Sequence, residues 1–362
     1  MFSKGFLTPF VTGVLGSAAF YTVFDKISHK SRVDPEKFDF LKVPEDSSVL
    51  EDTKKLEQAR SILKYGAPSQ GPYLRFYENH VLAYDQSKRT PIWVAEYLTK
   101  ANVEGPANRK NVKFRPDPNV TVMYTAHNSD YLGSGWSRGH MSPAGDNKHS
   151  QEAMRESFYL SNVVPQDLQN NGGFWNRLEM YCRDLTKTYQ SIIIISGPLI
   201  LPQERNGKQI VEYEVIGKSQ VSVPTHLFKV VLAESDSMPT KPLGVFIVPN
   251  KPIGFEHSLT EFQVELEELE RVAGVTFLPK LDRKQVSDLC KVNGCKLMKK
   301  EKFQLYFITR KIQSSRSIKH LDKVWGELEE NKLQPDEYMV NLYNSKREEL
   351  MNVEKDKSNV TK

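Results

Sequence analysis

The sequence predicts an α+β protein with a mixed or antiparallel sheet over residues 62–285 and a helical extension over residues 286–362. Short apolar runs rich in branched and aromatic residues outnumber the helical candidates, which points to a sheet as the main scaffold. Strand and helix candidates also follow one another in mixed order. After Leu281 the register changes, first to a basic stretch and then to balanced helical sequence. A chain of 362 residues exceeds the usual size of a small domain, so one large core with appendages, or two domains, is expected.

In chain order, Phe6 to Phe24 is an uncharged run long enough for one membrane-spanning helix. Lys4 precedes it, Asp25 is the first acidic residue, and Lys26, Lys30 and Arg32 follow, so residues 1–30 suit a mitochondrial targeting segment and membrane anchor. A cleaved secretory signal is the competing reading, because Gly16-Ser17-Ala18-Ala19 offers small residues. Residues 31–61 are charged, contain proline and show little periodicity, which reads as a tether. Residues 75–84 and 92–98 fit a strand followed by the start of a helix. Ser191-Ile192-Ile193-Ile194-Ile195-Ser196 reads as a strand buried on both faces and ended by Gly197-Pro198. Leu227 to Leu232 and Val245 to Val248 are further strands, and Leu259 to Val272 is a helix with Gly274 as its C-cap.

The formal net charge of +5 suits a polyanionic partner, although it is a mild excess over 26% charged residues. Between Lys296 and Lys323 there are nine Lys/Arg against two acidic residues, with Phe303, Tyr306 and Phe307 interleaved. Such a stretch is either a nucleic-acid-binding face or a solvated surface whose aromatics belong to a core. Three cysteines make a disulfide framework unlikely, and a zinc site lacks histidines near Cys290 and Cys295. Cys182 reads as a core residue, and Cys290 and Cys295 as two reduced thiols ahead of a small disulfide loop.

Chemistry concentrates in residues 135–147, Gly-Trp-Ser-Arg-Gly-His-Met-Ser-Pro-Ala-Gly-Asp-Asn, where Arg138 and His140 flank one glycine. Downstream, Tyr159-Leu160-Ser161-Asn162-Val163-Val164-Pro165-Gln166 leads into Asn170-Asn171-Gly172-Gly173-Phe174-Trp175-Asn176-Arg177-Leu178-Glu179. His140 has the neutral imidazole that a general base needs near pH 7. Asn171 offers one hard, neutral oxygen, a ligand type Mg²⁺ accepts while it keeps several waters. Glu179 lies eight residues beyond Asn171, close to the same helical face after two turns, and its carboxylate can orient water.

These residues resemble the DNA/RNA non-specific endonuclease family, whose pattern is Asp-Arg-Gly-His, then Ser-Asn-x-x-Pro-Gln, then Asn followed by Trp and Glu. Ser137 stands where most members carry aspartate, and this resembles the family's mitochondrial exo/endonuclease branch. Similarity extends from about Tyr73, through His80–Asp85, to about Asp282. The resemblance implies a ββα-metal nuclease core, in which a β-hairpin and the following helix present the site. It implies Mg²⁺, with Mn²⁺ as the alternative, DNA or RNA as substrate, 5′-phosphate products, a homodimer and the mitochondrial inner membrane. It also assigns Arg109 to the phosphate, with His140 as base, Asn171 as metal ligand and Glu179 as the orienting carboxylate. Arg138, Arg177 and Lys148 are further phosphate or salt-bridge candidates, and Asn162 and Gln166 add supporting hydrogen bonds at the binding site. Because Ser137 removes a carboxylate, the competing function is a nucleic-acid-binding protein with an impaired site. A secreted nuclease is the third reading.

Overall fold

Four consecutive isoleucines set the plan of the molecule, because in an extended strand alternate side chains point to opposite faces. In the computed structural model, which describes residues 47–69 and 74–360, Ile192 and Ile194 enter one apolar core while Ile193 and Ile195 enter another. The apolar run Phe6–Phe24 and residues 31–46 of the expected tether lie outside the described residues. Among those residues, no helix is long and apolar enough to cross a membrane.

The sheet contains β1 (Leu74–Phe76), β2 (His80–Asp85), β3 (Thr90–Leu98), β6 (Ser191–Leu199), β7 (His226–Glu234), β8 (Lys241–Pro249) and β9 (Val286–Asp288), in that spatial order. All neighbours are antiparallel except β8 and β9, so the sheet is mixed. Residues 92–98 form a strand and not a helix start. Trp93 and Ala95 face one core and Val94 and Leu98 the other, a period of two that a helix cannot supply. The helical turn begins later, at Lys100–Val103. Strand β6 also runs through Gly197-Pro198. A Cβ on Gly197 would lie 2.6 Å from the Ile92 carbonyl oxygen and from the Phe228 ring, so glycine permits close packing there. The ladder to β3 ends at Ser196, so Pro198 stands beyond it.

One face of the sheet is covered by helix α1 (Ser47–Ile62), through Ala59 and Ile62, and by α3 (Leu266–Ala273), through Leu266 and Leu269. Helix α1 replaces the second half of the expected tether: Leu56, Ala59 and Ile62 recur every three residues, a stripe hidden among charges. Helix α3 starts later than the sequence suggests, because the Val264 amide donates to the Val245 carbonyl at 2.9 Å and holds that segment extended. It does end at Gly274, whose φ of 63° is left-handed.

The opposite face carries β4 (Ser137–His140), paired antiparallel with β5 (Val163–Gln166), and then a π-helical turn, Asn171–Trp175, leading into α2 (Asn176–Leu185). Phe174, Trp175, Leu178, Cys182 and Leu185 anchor this unit on the sheet. This is the expected ββα arrangement. Helices α4 (Lys300–Ser314), α5 (Ile318–Glu330) and α6 (Glu337–Val360) form the C-terminal extension around Ile308, Ile312, Leu321, Val324 and Leu328. Before it, Cys290 and Cys295 are joined by a disulfide, contrary to the expected free thiols. Gly294, with φ of 83°, turns the chain so that the two Cα atoms stand 4.7 Å apart.

Candidate active site

The hairpin β4–β5 sets His140 opposite Val163 and Ser137 opposite Gln166. Gly139 is needed between the two functional residues, because a Cβ there would lie 2.8 Å from the Gln166 Cβ. The His140 ring sits between Phe114 at 4.9 Å and Phe158 at 4.8 Å, centroid to centroid. Arg138 lies over Phe114 at 4.8 Å and Arg109 over Phe158 at 5.6 Å, so one aromatic bracket carries the candidate base and two phosphate-binding candidates. Arg138 also donates to the Asn128 side-chain oxygen at 2.5 Å. Burial pushes the His140 pKa down to about 3, and the charges of Arg109 and Arg138 add to that effect with His80. Its Nε2 is enclosed without a hydrogen-bond partner.

Asn171 is oriented by the residue that departs from the family pattern. The Ser137 hydroxyl donates to the Gln166 carbonyl at 2.7 Å and accepts from Asn171 Nδ2 at 2.9 Å. With its NH₂ group occupied in this way, the Asn171 amide leaves Oδ1 free. Gly172 and Gly173 beside it face open space. Among the described residues there is no group of three or more His, Cys, Asp or Glu that could hold a metal. A single neutral oxygen such as Asn171 Oδ1 is a ligand type that a hard divalent cation accepts when it keeps most of its waters.

Glu179 rests on a buried layer of charge. Burial pushes its pKa up to about 7; Arg183, Lys229 and Arg109 oppose that rise, and Asp146 reinforces it. Arg183 and Asp146 form an ion pair at 2.6 Å with side chains 19% and 1% exposed. Lys229 is buried on β7, where Nζ donates to Ser196 Oγ at 2.5 Å and lies 4.7 Å from the Trp175 ring centroid. Glu96, also buried, accepts from Ser142 Oγ at 2.7 Å, and burial raises its pKa. The field of Arg109 reaches both His140 and Glu179, which places the three in one electrostatic neighbourhood.

Not every expected residue is available to a substrate. Arg177 is 3% exposed and packs over Phe255 at 4.3 Å and Phe174 at 5.3 Å, on the face of α2 away from Glu179. Asn162 is fully buried: its oxygen accepts from the Ser142 amide, and its NH₂ donates to the Ser142 and Ser157 carbonyls. Gln166 is equally buried and donates to Asn170 Oδ1 at 2.9 Å. These two hold the loops behind β4 and β5. Lys148 stays partly exposed, and its charge bears on Asp146. The sequence reading missed Phe114, Phe158, Lys229 and the Asp146–Arg183 pair. Phe158 adjoins the Tyr159–Gln166 segment, the one signal that pointed to it. In the extension, Phe303 is buried against Phe255 and Phe307, whereas Tyr306 is 38% exposed. Helix α4 approaches the site, since the charge of Arg310 bears on Arg109 and Tyr306 bears on Arg183.

Comparison with known proteins matches residues 58–284 to the DNA/RNA non-specific endonuclease family and residues 298–346 to the endo/exonuclease (EXOG) C-terminal domain. The chain is 54% identical over 293 residues to the zebrafish protein "Nuclease EXOG, mitochondrial", covering 80% of this chain and 85% of that one. It is 51% identical over 291 residues to the human protein of that name, covering 79% of each. Human "Endonuclease G, mitochondrial" is 41% identical over 221 residues, 61% of this chain and 74% of that one. A crystal structure described as the EndoG/EndoGI complex superposes with a TM-score of 0.62 at 38% identity, covering 64% of this chain and 95% of that one.

Proposed function

The chain belongs to the DNA/RNA non-specific endonuclease family and is a hydrolytic nuclease, and from that premise we propose a Mg²⁺-dependent endo/exonuclease of mitochondria that leaves 5′-phosphate ends. The observation that carries this reading is the Ser137–Asn171 hydrogen bond, which ties the Asn171 amide through its NH₂ group to the strand that presents His140. Asn171 would hold the metal, with Mn²⁺ as the substitute ion, and the metal supplies Lewis-acid polarisation of the scissile phosphate and charge compensation at the leaving 3′-oxygen. His140 takes a proton from the attacking water, and Glu179 orients water at the site. Arg109 and Arg138 bind phosphoryl oxygens as charge builds in the transition state. Contacts of this kind read the backbone and carry little base specificity. Substrates are DNA and, by the same chemistry, RNA.

The names of the relatives support a mitochondrial location. The uncharged run Phe6–Phe24 supports an inner-membrane anchor, and a homodimer is part of the same reading. A binding protein with an impaired site is the weaker alternative, because Ser137 still orients Asn171. Purified protein is expected to nick supercoiled plasmid with Mg²⁺ and to lose activity with EDTA. His140→Ala and Asn171→Ala are each expected to slow it by about 10²-fold or more. Cleavage that persists at the wild-type rate in either variant would remove the assigned base or ligand.

A further inference from the structure

On the side of α2 away from Glu179 lies a pocket of about 260 Å³ lined by Arg177, Lys296, Lys299, Lys302, Asp184 and Tyr181, among others. Four of these residues are cationic. Its one carboxylate, Asp184, is already paired with Lys187 at 2.6 Å, so the lining keeps an excess of positive charge. Among the described residues, none of the three lysines has an ion-pair partner.

Two further observations point to an anion. Helix α4 begins at this pocket, and its N-cap, Lys299, makes no side-chain capping bond, so the first backbone N–H groups of a 15-residue helix lack a side-chain cap, with Glu301 the one acid in its first turn. Arg177 is 3% exposed, its Nε has no acceptor, and its Nη atoms make only long bonds of 3.4 Å and 3.3 Å to the Met298 and Gly254 carbonyls. A guanidinium that is buried yet poorly satisfied carries a cost that a nearby anion offsets. The space suits a phosphate group with several waters, each filling roughly 30 Å³.

We propose that this pocket is a second phosphate-binding site, built by Lys296, Lys299, Lys302 and the N-terminus of α4 over the charge of Arg177. Its occupant is separate from the scissile phosphate, because Arg177, Met180, Tyr181 and Asp184 share the helix face that looks away from Glu179. The phosphate comes either from the nucleic-acid backbone away from the cut or from a free phosphate; the first source rests on the nuclease reading and the second does not.

The test uses the full chain in EDTA, with inorganic phosphate titrated at constant ionic strength and thermal unfolding as the readout. Wild type is expected to show saturable stabilisation, and Arg109→Ala is expected to retain a saturable response, because the pocket beside α4 is left intact. The exposed triple variant Lys296→Gln/Lys299→Gln/Lys302→Gln is expected to bind phosphate more weakly, by about tenfold for each lysine that holds the anion. The salt dependence of duplex DNA binding in EDTA separates the sources: a slope reduced by about 0.9 per phosphate assigns the site to the backbone, and an unchanged slope assigns it to the free ion. A triple variant that binds phosphate like wild type, or a response abolished only by Arg109→Ala, overturns the proposal. Neither readout requires cleavage, so failure of the nuclease reading would be seen separately.

Discussion

Replacing Arg183 with methionine tests how the buried charge layer controls Glu179. Arg183 pairs with Asp146 at 2.6 Å beneath the site and is the strongest of the charges that oppose the rise of the Glu179 pKa to about 7. Residues four apart on a helix have Cβ atoms about 6 Å apart, so at an effective dielectric of about 20 the lost attraction is about 3 kcal/mol, or at most about two pKa units. Asp146, left without its cation, gains protons as well, and the resulting loss of repulsion reduces the shift to between about one and two units. The sign follows from a carboxylate whose pKa has risen: Glu179 ionises only at higher pH. Initial rates on a fluorescent oligonucleotide, measured from pH 5.5 to 9.5 with saturating Mg²⁺, are expected to show an acid limb displaced upward. The rate at pH 7 should fall about 5- to 50-fold and recover toward pH 9. Breaking the buried pair should also cost about 3–5 kcal/mol of stability, and Arg183→Lys should restore most of both. An acid limb that stays in place while the melting temperature falls would show that Arg183 acts only as packing.

Ser137→Asp keeps an acceptor for Asn171 Nδ2 but loses the donor to the Gln166 carbonyl, with a stability cost of about 1–3 kcal/mol. The added carboxylate should shift cutting toward internal sites, seen as faster nicking of circular relative to linear DNA; equal ratios for variant and wild type would refute this. His80 is fully buried with both ring nitrogens unpartnered, and burial holds its pKa down to about 3. Below an unfolded value near 6.5 the unfolded chain binds a proton that the folded chain refuses, so this residue removes about 1.4 kcal/mol per pH unit as acidity increases. His80→Phe should therefore raise the melting temperature, and by a larger margin at pH 5 than at pH 7; a constant margin would contradict the assignment.

The hairpin and its candidate catalytic residues were legible because they lie close in sequence and because each residue type matches one chemical task. The bracket around His140 was not: Phe114 and Phe158 are far apart in the chain, and neither lies in a periodic run, so only the fold brings them within 4.8 Å of each other. Lys229 looks like an ordinary polar position in a strand until β7 buries it under Trp175. Arg177 failed in the other direction. Its place in a family-like motif suggested a phosphate ligand, yet helical geometry turns it away from Glu179 and between two phenylalanines. Helix α1 escaped detection because its buried face is only one residue wide.

The shared aromatic support of His140, Arg109 and Arg138 makes the imidazole's reactivity depend on occupancy. Burial first, and then the two cations, suppress its affinity for a proton, so the ring is neutral at neutral pH. On the proposed reading, an arriving phosphodiester would screen both guanidinium groups and so relieve the part of that suppression that they cause. The nucleic acid would thus help to arm the group assigned to cut it.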